Sequence, residues 1–152
     1  MELQAIDPAR VRLEELVECG VRFHGHLGPF LVLGLRMGLL ALRELDCRGH
    51  FDLEAQVEMG TTPPLSCMID GIQVATGCTL GNGNIRVAGH GQPRPRATFT
   101  NTKDAKWLEV ELQPGLVERF REGEPEALAH EAMRMSEEEL FRWELRMQMQ
   151  RR

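Results

Sequence analysis

The sequence has no excess of positive charge. Its 152 residues carry 18 Lys and Arg against 23 Asp and Glu, a formal net charge of −5, so no broad basic surface for nucleic acid is expected. It has no long apolar run either: the most apolar stretch, Leu27 to Leu42, contains Arg36 and falls short of the roughly 20 residues that a membrane helix needs. The first residues, Met1-Glu2-Leu3-Gln4-Ala5, show neither the basic start nor the apolar stretch of a secretory signal. On this reading the protein is cytoplasmic. Cys19, Cys47, Cys67 and Cys78 lack the tight spacing of a disulfide framework. In a reducing compartment such thiols are buried, metal-binding or reactive rather than paired. No Lys-Ser/Thr follows the glycines of residues 77–84, which excludes a Walker phosphate loop.

What is present describes one soluble domain. Apolar residues make up 42% and charged residues 27%, which excludes a disordered tail, a collagen-like chain and a low-complexity linker. A chain of this length buries roughly two-thirds of the surface it exposes when unfolded.

Asp7-Pro8 has the form of an N-cap followed by proline, and Leu13, Leu16, Val17 and Val21 recur at helical spacing. A first helix is expected to end between Gly20 and Phe23. Phe23-His24-Gly25-His26-Leu27-Gly28-Pro29 reads as a turn, and Pro29 opens a second helix that is apolar nearly all round and therefore central. On it Gly34 and Gly38 share one face and permit a close backbone approach. Phe51, Leu53, Ala55, Val57 and Met59 alternate with polar residues as in a half-buried strand. Cys67 to Thr76 reads as a short helix with Ser66 as cap and Gly77 just past its end. Three further strands are expected at residues 85–88, 97–100 and 107–112. From about residue 113 the tail reads as helical, with restarts at Pro125 and Ser136. Ser136 and Glu139 have capping-box spacing. The expectation is a single α+β domain over residues 1–152 with a mixed or antiparallel sheet.

Three groups of residues can carry chemistry. His24-Gly25-His26 places two imidazoles around a glycine before a helix, where they can face one cleft and bind a transition metal, or stand as two ordinary surface or core histidines. Cys78 sits where a helix gives way to Gly81-Asn82-Gly83-Asn84. There it can act as metal ligand or nucleophile, or as a small buried hydrophobe beside a demanding turn. Cys67, Asp70 and Gln73 share one helix face. A helix start favours the Cys67 thiolate, and Asp70 can orient a ligand or accept a proton, or simply complement the helix dipole. Eleven helical residues span about 16 Å, so Cys67 and Cys78 stand at opposite ends of their helix and cannot share a metal within one chain. Cys78 can meet His24 and His26 if the helices pack antiparallel, and a second chain could supply Cys67. Cys19 is expected in the core. Cys47, His50, His90 and His130 are given no role, and Met133, Met135, Met147 and Met149 are read as packing residues.

The segments 23–29, 33–38 and 67–84, taken together, resemble the FmdE-type family, named for formylmethanofuran dehydrogenase. Its members carry Phe-His-Gly-His-x-Cys-Pro and Cys-x-x-Asp-Ala-Ile-Gln followed by Thr-Gly-Cys-Thr-x-Gly-x-Gly-Asn. The likeness runs from about residue 10 to about residue 110. It implies an α+β core with a mixed sheet, intertwined homodimers and a metal or thiol site built from the His-x-His and Cys motifs. Some relatives add a C-terminal zinc finger, but this sequence has no cysteine after Cys78, so a four-thiolate ribbon is excluded. Two positions depart from the family pattern: Gly28 stands where the family has Cys, and Gly71 replaces Ala after Asp70.

The leading expectation is therefore a homodimeric metal-binding protein, an accessory or sensor in redox or molybdenum/tungsten-enzyme metabolism. His24, His26, Cys67 and Cys78 are its candidate ligands and zinc its expected metal, with nickel or iron behind. The alternatives are a small metal- or thiol-dependent enzyme using Cys78 with His24 or His26, assisted by Asp70, and an interaction module in which the His/Cys cluster is structural.

Overall fold

A computed structural model describes residues 4–89 and 91–147. His90 and Met149 lie outside the described residues. Helix α1 runs Leu13–His24, α2 Pro29–Leu45 and α3 Cys67–Thr76. Strands are β1 Leu53–Val57, β2 Ile85–Val87, β3 Arg96–Asn101 and β4 Trp107–Leu112. The chain then forms α4 Leu116–Arg121, α5 Pro125–Arg134 and α6 Glu137–Leu140 before strand β5, Phe141–Arg146.

Helix α2 is the centre of the molecule. Pro29 occupies its first turn and nearly every side chain along it is buried. Helix α3 packs on it more closely than ordinary side chains allow. A Cβ on Gly34 would stand 2.7 Å from the Met68 carbonyl carbon, and one on Gly71 2.5 Å from the Leu35 nitrogen. One added on Gly38 would meet the Ala75 Cβ at 2.8 Å. The two backbones therefore touch, as the spacing of Gly34 and Gly38 predicts, and Gly71 supplies the matching gap on α3.

The sheet has the order β2-β1-β3-β4-β5. β1 and β2 are parallel, joined by the crossover through α3 that a parallel pair requires; the other neighbours are antiparallel. Leu53, Val57, Phe99, Leu108 and Val110 point into the core with α2. The opposite face is polar and laced by ion pairs, among them Arg96 with Glu109 at 2.7 Å and Arg142 with Glu111 at 3.1 Å.

Four expectations are corrected. Asp7-Pro8 forms a separate turn rather than the cap and first residue of α1, which starts at Leu13 with Arg12 at its N-cap position. The tail is not helical throughout: β5 extends the sheet beside β4. Its alternation of Phe141, Trp143 and Leu145 with Arg142, Glu144 and Arg146 is a strand pattern, masked by residues that favour helices in isolation. Ser66 lies just before α3 but its side chain makes no capping bond. Cys19 is exposed rather than in the core. The Ser136–Glu139 capping box is formed.

No helix of the described residues is long and apolar enough to cross a membrane.

Candidate functional site

Helix α1 runs to His24, one residue past the expected range, and is capped by Gly25, whose φ of 105° lets its N–H close on Val21 O. His24 is thus on the last helical turn and His26 in the short link to α2. Their ring centroids lie 4.5 Å apart, tilted by 42°.

His24 is the better-held of the pair. Its Nδ1 is 2.5 Å from Asp70 Oδ2 on α3. An ionised carboxylate can only accept, so Nδ1 carries the hydrogen and Nε2 of the neutral ring keeps its lone pair. That Nε2 is buried and has no hydrogen-bond partner. Asp70 is itself held, because Gln73 Nε2 donates to Asp70 Oδ1 at 3.3 Å. Gln73 Oε1 in turn accepts from the Leu80 N–H at 3.2 Å. The expected shared face of Cys67, Asp70 and Gln73 therefore carries a hydrogen-bond chain from the glycine loop to the histidine. Asp70 does more than complement the helix dipole.

His26 and Cys67 line one cavity of about 180 Å³ together with Gly28, Pro64 and the α4–α5 segment. A Cβ on Gly28 would stand 3.6 Å from His26 Nε2, an ordinary van der Waals contact, so a side chain at this position would lie beside the imidazole. The Cys67 thiol is pushed up, by burial first and by Asp70 second. This reverses the expectation that the helix start favours its thiolate: desolvation and a neighbouring carboxylate outweigh the dipole.

Cys78 does not join this cluster within the chain, and the expected meeting with His24 and His26 is corrected. His24 meets the first half of α3, whereas Cys78 follows its far end. Its side chain is fully buried and its thiol donates to Leu53 O at 3.3 Å. Burial pushes its pKa up to about 11, so it is not a ready nucleophile. The glycine loop beside it is a structural joint. Asn84 Oδ1 accepts from Thr79 N–H at 2.9 Å while its amide donates to His50 O, and Asn82 Nδ2 donates to Gly77 O at 3.0 Å. Gly77 adopts φ 72° against the His50 ring.

Among the described residues, no three His, Cys, Asp or Glu side chains converge closely enough to hold a metal ion on their own. The site in one chain supplies two imidazoles, an orienting carboxylate and an adjoining thiol. The cavity wall from α4 and α5, with Phe120, Arg121 and Leu128, was not foreseen. These residues carry no motif, and only the fold of the tail brings them to His26.

The fold and this cleft define an α+β protein whose histidine–carboxylate pair sits at the junction of its three first helices. Residues 23–151 match the family model described as "FmdE, Molybdenum formylmethanofuran dehydrogenase operon", and the chain belongs to the FmdE family. A protein of Archaeoglobus fulgidus described as "Probable S-adenosyl-L-methionine-binding protein" is 33% identical over 115 residues, 72% of this chain and 30% of that protein. The chain thus spans less than a third of that relative. The crystal structure of an FmdE-like protein of the tungsten formylmethanofuran dehydrogenase type, from Syntrophus aciditrophicus, has the same fold. The TM-score is 0.69 at 23% identity, with 97% of this chain and 78% of that one covered.

Proposed function

We propose that the protein is a metal-binding FmdE-family accessory or sensor that works beside a molybdenum- or tungsten-dependent redox enzyme. The observation that carries the metal reading is the buried, unpartnered Nε2 of His24 with its Nδ1 on Asp70. Metal-ligating histidines characteristically donate their second ring nitrogen to a carboxylate, which fixes the tautomer and raises the basicity of the ligating nitrogen. His24 and His26 would hold the ion, with Cys67 as the thiol donor from the same chain or a partner chain; mixed imidazole and thiolate ligation fits zinc best. Bound zinc supplies Lewis-acid polarisation of a ligand or water. The family's operon description supports an enzyme partner.

Homodimerisation belongs to the same reading. One chain presents too few donors for a closed site, and strand β5 is a sheet edge with Leu145 and Met147 exposed. The thiol-enzyme alternative built on Cys78 loses its support to that residue's burial. The S-adenosyl-L-methionine of the Archaeoglobus relative's description is not carried over, since most of that protein lies outside the match.

The test is elemental analysis of anaerobically purified protein. About one zinc per chain, lost in both His24→Ala and His26→Ala, is the expected result. Protein that stays metal-free after reconstitution with zinc, nickel or ferrous iron sinks the proposal.

A further inference from the structure

The 180 Å³ cavity beside His26 and Cys67 has a second wall that the metal reading does not use. Phe120, Leu128 and Pro125 from the α4–α5 segment face Phe30 and Leu31 of α2, so the interior is mostly apolar. Arg121, exposed at the rim of the α4–α5 segment, lines the same cavity. Its neighbour Arg119 is paired with Glu131, whereas Arg121 has no carboxylate partner among the described residues. Gly28 keeps the His26 side free of any side chain. The volume corresponds to about six waters, and so to a ligand of about six non-hydrogen atoms.

We infer that this cavity binds a short-chain organic carboxylate, its anionic end on Arg121 and its apolar body on Phe120 and Leu128, with the far end delivered to His26 and Cys67. The inference rests on the reading of His26 as part of a functional site. Arginine is suited to the carboxylate because its planar fork offers two parallel donors. The apolar walls favour a hydrocarbon body and a few polar groups fix its orientation, as in other small-molecule sites. Formate alone would leave most of the wall uncovered.

The experiment titrates the full chain with sodium butyrate, butyramide and sodium formate and follows the methyl resonances of Leu128 and Leu31, with zinc content measured on the same samples. Saturable butyrate binding is expected, with butyramide and formate at least tenfold weaker. Arg121→Gln is expected to weaken butyrate at least tenfold and leave butyramide unchanged. Leu128→Trp, which fills the cavity, is expected to remove both while the zinc content holds. Butyrate that binds no better than butyramide, or equally well to Arg121→Gln, overturns the inference. Zinc bound without butyrate binding overturns it and leaves the metal reading standing. Butyrate binding on protein that takes up no zinc overturns the metal reading and leaves the carboxylate site.

Discussion

His24 and Asp70 lie 46 positions apart in the sequence and meet at 2.5 Å, Nδ1 against Oδ2, at the crossing of α1 and α3. The contact couples the end of one helix to the first turns of another. It turns Nε2 of His24 inward, where it has no partner. Removing the carboxylate should therefore be felt in metal affinity. Asp70→Asn is expected to weaken zinc binding by about 10- to 100-fold, as losses of such orienting partners do, with little change in the far-ultraviolet circular dichroism. Competition against a chromogenic chelator measures it, and an unchanged affinity would show that the carboxylate does not orient a ligand.

Cys78 is placed as a core residue, and its substitution should separate from that of the histidines. Cys78→Ala is expected to keep the full metal content while losing stability, on the order of 1–2 kcal/mol for the removed sulfur and its contacts. Elemental analysis and urea denaturation of the same preparation check both halves. Loss of metal in this variant would return Cys78 to the ligand set.

The buried thiols also set a pH dependence. Cys78 ionises near its usual value of 9.0 in the unfolded chain and at about 11 in the native one, because burial disfavours the thiolate. Between those values the native state holds more protons than the unfolded state, so stability falls as pH rises. Cys47, raised to about 12 by burial, adds to the same trend. Urea midpoints are expected to be level between pH 7 and 8 and to decline from pH 9 to 11, less steeply in Cys78→Ala. In native protein at pH 8, iodoacetamide should modify exposed Cys19 ahead of Cys47 and Cys78.

The α2–α3 contact should tolerate no side chain at its centre. A Cβ on Gly34 would meet backbone of Met68 rather than a side chain that can swing away. Gly34→Ala is expected to destabilise by about 2–3 kcal/mol or more, although alanine is the better helix former. A denaturation midpoint equal to that of the wild type would mean that the helices can part at no cost.

Arg36 ties the tail to the central helix. Its guanidinium donates to Ala132 O at 2.9 Å and to Met135 O at the end of α5. Those carbonyls have no further helical turn to bond, and burial lowers the pKa of the arginine without removing its charge. Arg36→Met keeps the packing volume but leaves the carbonyls unpaired, at a cost of about 1–3 kcal/mol. Hydrogen exchange of the α5 amides should accelerate selectively, and α5 is one wall of the cavity beside His26.

Much of this protein was legible in local patterns because local forces set them. Pro29 and the apolar run after it mark α2, and the alternation from Leu53 to Val57 marks β1. Ser136 with Glu139 marks the capping box, each within a few residues of chain. Gly34 and Gly38 announced a close approach, since glycine in a helix interior is otherwise unfavourable. The His-x-His pair and Asp70 were readable as candidates for the same reason: residue type and spacing carry their chemistry.

Residue type and local pattern settled the element menu, the mixed α+β class and a short set of chemically able residues. Which of them meet was decided by tertiary structure. Cys67 and Cys78 looked alike as thiols beside a motif, yet the first borders an open cavity and the second is fully buried against Leu53 O. Phe141–Arg146 was a strand only because the edge of β4 was there to pair with it. Phe120, Arg121 and Leu128 became a wall of the site because α4 and α5 fold back against α2. Contact between distant segments depends on how packed faces and unpaired edges are satisfied across the whole chain, and no window of neighbouring residues contains that information.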